Sequence, residues 1–145
     1  MLNAVCDSTT LVSAFLTKKG VSAQLLNQAV AGAFELYLSD ALIEETRDVL
    51  LHRKHLREAF TYIDQDVEEF CLLLRAFARS VTDLPAIQIS RDPNDDYVIA
   101  TALAASVSHL VTRDKDLLTL KTYQTVQMIR PEEFMGILRK QSRKP

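Results

Sequence analysis

Apolar positions along this chain switch repeatedly between short unbroken runs and a helical spacing, and the switches mark out its elements. "LNAVC" (2–6) is a short apolar run that stops abruptly at Asp7, as a buried strand would. "VSAQLLNQAVAGA" (21–33) carries apolar residues at helical spacing, with Gly32 placed to end the helix. "FELYL" (34–38) alternates and predicts a strand. "SDALIEETRDVLLHR" (39–53) opens on a capping residue, Ser39 or Asp40, and continues as a helix. "DQDVEEFCLLLRAFARS" (64–80) predicts a long amphipathic helix with Phe70, Leu73, Leu74 and Phe77 on one stripe.

The second half continues the alternation. "VTDLPAIQIS" (81–90) is extended, because Pro85 forbids a continuous helix. "DPNDDYVIATALAAS" (92–106) begins with turn residues and becomes a helix. "HLVT" (109–112) ends a strand, a tight charged turn follows, "TVQMI" (125–129) is a weaker strand, and a final helix starts at Pro131. Short strands separated by helices predict an α/β layer with a mainly parallel sheet. The surplus of helix between residues 39 and 80 implies two or three helices in succession. No repeat or Pro/Gly-rich linker interrupts the pattern, so residues 1–140 are expected to form one domain and 141–145 a frayed tail.

Composition narrows the chemistry. Of 145 residues, 48% are hydrophobic and 25% charged, enough for a proper core. The net charge of −2 excludes a global basic field, so a polyanion would have to be held locally, by a patch or by metal ions. Cys6 and Cys71 show neither metal-ligand nor disulfide-framework spacing. No positively charged leader precedes an apolar stretch, and no apolar run reaches the ~18 residues of a membrane span. A reducing, cytoplasmic setting is expected, without membrane contact.

In parallel α/β sheets ligands sit beyond the carboxyl ends of the strands. Asp7 and Asp114 each follow such an end. Two more acids join them as candidates. Leu42, Glu45, Thr46 and Val49 fall at i, i+3, i+4 and i+7, which puts the Glu45 carboxylate on a face of core-type residues. Glu44 is rotated away with Asp48 and expected in solvent. Asp96 opens the "YVIATALA" helix. Taken singly each has an ordinary explanation: Asp95 or Asp96 as a cap or first-turn charge, Asp114 and Asp116 as turn residues, Glu45 as a partner of Arg47 or Arg53. Asp7 is harder to explain so, because an acid is a poor way to leave a core strand unless something needs it there.

Clustered carboxylates on such an edge suit hard divalent ions. Mg²⁺ and Mn²⁺ prefer oxygen ligands and are completed by water and substrate phosphates. Such ions can activate water for in-line attack on a phosphodiester and stabilise the leaving oxygen. Arg91, Arg113 and Lys115 flank the acids and could contact phosphates or simply neutralise the cluster. "HRKH" (52–55) sets His52 and His55 one turn apart without a third soft ligand, so a solvated basic face is expected; Arg53, Lys54 and Arg57 there could help hold RNA. His109 is assigned to structure. Tyr123, Phe134 and Phe60 are assigned to the core, with no aromatic stacking platform apparent.

In order and spacing, "CDSTTLVSAFL", "LSDALIEETRDVLLHRKHLREAF", "RDPNDDYVIATALA" and "HLVTRDKDLLTLK" resemble the PIN domain family, specifically its bacterial toxin–antitoxin group, over roughly residues 2 to 138. The resemblance implies a three-layer α/β/α sandwich, Rossmann-like, with a mainly parallel central sheet. It implies a Mg²⁺- or Mn²⁺-dependent endoribonuclease in which Asp7, Glu45, Asp96 and Asp114 are catalytic metal ligands. Asp116 corresponds to an additional acid, and Ser8, Thr9 and Thr112 support the centre. It further implies RNA as substrate, an antitoxin protein that covers the acidic site, and a homodimer.

The family reads Asp-Thr-Asn where this chain reads Asp7-Ser8-Thr9, so Thr9 lacks an amide that would steady the centre. That departure leaves a second reading, a degenerate module that binds RNA or a protein without cleaving. A phosphotransfer fold is disfavoured. Dehalogenase-like phosphatases need an acid where Thr9 stands, and a receiver domain needs an acidic pair ahead of its phosphorylated aspartate.

Overall fold

Among the described residues five of the six strands run parallel, and their spatial order, 3-2-1-4-6-5 in chain numbering, reverses direction at the first strand. The computed structural model describes residues 1–88 and 93–142. β1 (Asn3–Cys6) lies at the centre between β2 (Glu35–Ser39) and β4 (His109–Val111), with Val5 opposite Tyr37 on one side and Leu110 on the other. β3 (Arg79–Val81) forms one edge. Beyond β4 lie β6 (Val126–Ile129) and the antiparallel two-residue β5 (Thr122–Tyr123) at the other edge.

Helices cover both faces, giving the three-layer α/β/α sandwich with a mostly parallel sheet. From β1 the chain passes through α1 (Ser8–Leu16) and α2 (Val21–Val30) to β2. It then passes through α3 (Asp40–His52), α4 (Lys54–Ala59) and α5 (Asp64–Phe77) to β3. α6 (Pro93–Ala104) carries the chain back across the sheet to β4, packing over β1, β2 and β4. Right-handed crossovers in opposite directions place these two groups of helices on opposite faces. α7 (Lys115–Leu120) follows β4, and α8 (Pro131–Ser142) closes against α2.

Central strands buried on both faces need unbroken apolar runs. Ala4, Val5, Cys6, Leu110 and Val111 accordingly have no solvent exposure. Phe34 and Phe134 meet edge to face at 5.0 Å and pin α8 over the start of β2. Gly32, at φ +86° just past α2, takes the left-handed conformation a helix stop requires. Ser39 is the cap of α3: its Oγ accepts the Leu42 N–H at 3.4 Å.

Several elements differ from the reading of the sequence. The helix of 64–80 ends at Phe77, because Arg79–Val81 pairs with β2 as the edge strand; its buried side is Val67, Cys71 and Leu74. Leu73 is 50% exposed, while Phe70 and Phe77 are half-buried. The charged turn after β4 is the entrance to α7. Of the extended segment 81–90, residues 89 and 90 lie outside the described residues, as do Arg91, Asp92 and the last three residues of the tail.

Candidate metal centre

The order of strands makes β1 and β4 neighbours from which the connections leave in opposite directions. A crevice opens beyond the carboxyl ends of two such strands. Asp7 is the first residue after β1. It is 6% exposed, and its N–H still donates to the Val111 carbonyl of β4 at 3.2 Å. Its side chain caps α1, with Oδ1 accepting the Thr10 N–H at 2.9 Å and Oδ2 accepting the Thr112 hydroxyl. Burial pushes the Asp7 carboxyl above the ordinary aspartate value. The hydrogen bonds from Thr10 and Thr112 oppose that rise, and the charge of Asp114 adds to it. A cation held at this spot would relieve both the desolvation and the repulsion.

Thr112 ties the two strand ends together. Its backbone N–H donates to Ile129 of β6 at 2.9 Å, and its hydroxyl also accepts the Asp114 N–H at 2.9 Å. Asp114 then caps α7, with Oδ1 accepting the N–H groups of Asp116 at 2.8 Å and Leu117 at 3.3 Å. This explains the run of charge directly after a buried strand: the residues form a cap that fixes a carboxylate above the sheet. Carboxylate oxygens of Asp95, Asp114 and Asp116 lie within 4.8 Å of one another. An all-oxygen donor set at that spacing fits a hard divalent ion held directly or through water.

The acids expected to converge arrive in unequal ways. Asp7 and Asp114 share Thr112. At the start of α6, Asp95 is the residue within the group of three, and its neighbour Asp96 stands outside that group. Glu45 is half-buried on α3, a helix that packs against both α1 and α6. Arg47 is engaged elsewhere, with Glu68 at 2.6 Å. Glu44 faces solvent and meets Arg75 at 3.0 Å. Ser8 is half-buried and Thr9 exposed, and the hydrogen bonds to the Asp7 carboxylate come from Thr10 and Thr112.

Thr10 carries no motif of its own in the sequence, although three places after an aspartate cap is where a capped N–H falls. The sequence offers Asp95 as a cap or a first-turn charge. Its signal was the periodicity of the helix, which sets Asp95 and Asp96 about 100° apart so that both cannot face the same point.

The basic residues divide similarly. Arg113 is exposed and pairs with Glu132 in the first turn of α8, and Lys115 is exposed. Arg57 lies 4.6 Å from the Tyr62 ring centre and bonds Asp64 at 2.7 Å, a structural strut between α4 and α5. His52 and His55 are exposed. A separate apolar groove of about 710 Å³ runs between α1, α2 and α5, lined by Phe15, Leu26, Val30, Phe60, Phe70 and Leu73 among others; none of the acids above lines it.

A parallel α/β/α sandwich with carboxylates gathered at its switch point defines the general class. Residues 3–116 match the PIN domain, and the chain belongs to that family. Solved structures agree in fold. One is a chain of VapBC2 from Rickettsia felis, a complex bound to a DNA fragment from its promoter; it has a TM-score of 0.61 and 11% identity over 89% of this chain and 98% of that one. Another is the PIN domain of T. brucei RRP44, with a TM-score of 0.50 and 11% identity over 97% of this chain and 83% of that one. No curated protein matches the sequence. Among the described residues, no helix is long and apolar enough to cross a membrane.

Proposed function

We propose that this protein is a divalent-metal-dependent endoribonuclease and the toxin half of a toxin–antitoxin pair. The observation that carries the reading is the approach of Asp95, Asp114 and Asp116 within 4.8 Å, beside the buried Asp7, at the switch point of a PIN fold. Asp7 and Asp114 are the central ligands, with Asp95, Asp96, Asp116 and Glu45 completing the acidic edge. When bound, Mg²⁺ or Mn²⁺ supplies an activated water and offsets charge on the phosphodiester. The chain's own work is to fix the carboxylates. Thr10 and Thr112 hold both oxygens of Asp7, and the α7 cap holds Asp114, so little reorganisation is left for the reacting complex. Ser8 borders this edge, and Arg113 and Lys115 offer cations to the flanking phosphates.

The reading as a non-cleaving module drew on Thr9. Thr9 is exposed and both Asp7 oxygens are bound by other residues, which favours the enzyme. Likeness of fold to a chain of VapBC2 supports an antitoxin partner that covers the acidic edge, and a homodimer in a cytoplasmic setting belongs to the same proposal. The test is cleavage of labelled RNA by purified protein with Mn²⁺, with EDTA, and by Asp114→Asn. Cleavage only by the unaltered chain with metal is expected. Equal cleavage by the variant points to a contaminating nuclease and defeats the proposal.

A further inference from the structure

Among the phenylalanines and tyrosines of the described residues two rings are exposed, Phe60 and Tyr97. Phe60 lines the apolar groove. Tyr97, at 52% exposure, stands near the start of α6, two residues after Asp95. Residues two apart on a helix lie on nearly opposite sides. Asp95 reaches across to Asp114 and Asp116 beyond β4, so Tyr97 is turned the other way, toward β2. Thr101 confirms the direction. It lies one turn along the same side, is fully buried, and its Oγ1 is 2.8 Å from both the Tyr97 carbonyl oxygen and Ser39 Oγ at the end of β2. Side chains on a helix lean toward its N-terminus. Tyr97 therefore lies on the β2 side of α6, in the turn nearest the carboxyl edge of the sheet that carries the acids.

We propose that Tyr97 is a stacking platform for an unpaired nucleobase of a strand bound along the acidic edge. This rests on the reading of the acidic edge as an RNA site. A flat ring on a packed helix offers a π-face to any base at little entropic cost, and only an unstacked, unpaired nucleotide can use it. The strand then runs from Arg113 and Lys115 at the β4 side, across the carboxylates, to Tyr97 at the β2 side. Duplex RNA cannot present a splayed base there. Sequence preference at the stacked position is weak, because every base has a face to offer.

The chain contains no tryptophan, so Tyr97→Trp installs a unique fluorophore. The full-length variant is titrated with a single-stranded oligoribonucleotide, with the same oligonucleotide annealed to its complement, and with one carrying an abasic position. Quenching by the single strand alone is expected. In steady-state cleavage with Mn²⁺, Tyr97→Ala raises KM roughly tenfold with kcat near the unaltered value, and Tyr97→Phe behaves as the unaltered chain. Unchanged KM for Tyr97→Ala, or equal quenching by duplex and single strand, overturns the stacking role. Quenching by single strands in a chain that never cleaves supports the stacking role while removing the nuclease reading, so the two fail separately.

Discussion

The Thr112 hydroxyl donates to Asp7 Oδ2 across 105 positions of sequence while accepting the N–H of Asp114. One side chain therefore sets the separation between two acids that come from different strands. Thr112→Val keeps the shape and removes both bonds, leaving a buried carboxylate oxygen without its donor. We expect a loss of roughly 1.5–3 kcal/mol in urea unfolding, the scale of a hydrogen bond to a buried charge. Thr112→Ser should restore most of it, along with metal-dependent RNA cleavage. A valine variant as stable and active as the parent would remove Thr112 from the centre.

Asp114, Asp95 and Asp96 should separate in metal binding. Asparagine caps a helix as well as aspartate does, so Asp114→Asn keeps α7 folded while deleting a charge. Titration calorimetry with Mn²⁺ should show affinity falling by at least about tenfold for Asp114→Asn and Asp95→Asn, within the range of losses seen for altered metal surroundings. Asp96→Asn should fall less, since Asp96 stands outside the group within 4.8 Å. A larger loss for Asp96→Asn than for Asp95→Asn would reassign the first turn of α6.

What could be read from the sequence follows from the range of the forces involved. β1 and β4 are legible because strands buried on both faces must be continuously apolar, β2 because its apolar positions alternate, and α3 because Ser39 caps it locally. α1 left no such mark: its start is set by Asp7, which also reads as the end of a strand. β5 is two residues long and exists only through pairing with β6, so no periodicity can announce it. At the site, strand ends reveal that Asp7 and Asp114 share an edge. They do not reveal that Thr112 joins them, since that depends on the register of β1 against β4. Choosing Asp95 over Asp96 for the group of three depends on the rotation of α6, which is set by packing on three strands.

His109 is 8% exposed, with Phe134 at 5.3 Å between ring centres and Ser108 Oγ at 2.7 Å from Nδ1. Burial lowers its pKa below the ordinary histidine value. Protons therefore bind the unfolded chain more readily. The stability His109 confers is fully present above about pH 6.5 and is lost as pH falls toward and through the depressed folded value. Urea midpoints measured at pH 7.5 and 5.5 should drop on acidification. His109→Gln, polar and without a titrating proton, should lower the pH 7.5 value slightly but flatten the difference between the two. An undiminished difference in the variant would assign the acid sensitivity to other groups.

Arg113 and Glu132 form an exposed pair at the rim of the acids, and exposed pairs contribute only about 0–1 kcal/mol to stability. On the proposed reading as a ribonuclease, the consequence of the pair lies in RNA binding. A phosphate held by Arg113 would have to displace Glu132, making the carboxylate a competitor held in place by α8. Glu132→Gln should leave the thermal midpoint nearly unchanged and tighten binding of a labelled single strand, measured by anisotropy without divalent metal. Arg113→Ala should weaken binding and lower the slope of log affinity against log salt by about 0.7, the counterion share of one phosphate contact on a single strand. Identical salt slopes for the parent and Arg113→Ala would place the phosphate path elsewhere on the surface, leaving the pair a tie between β4 and α8 alone.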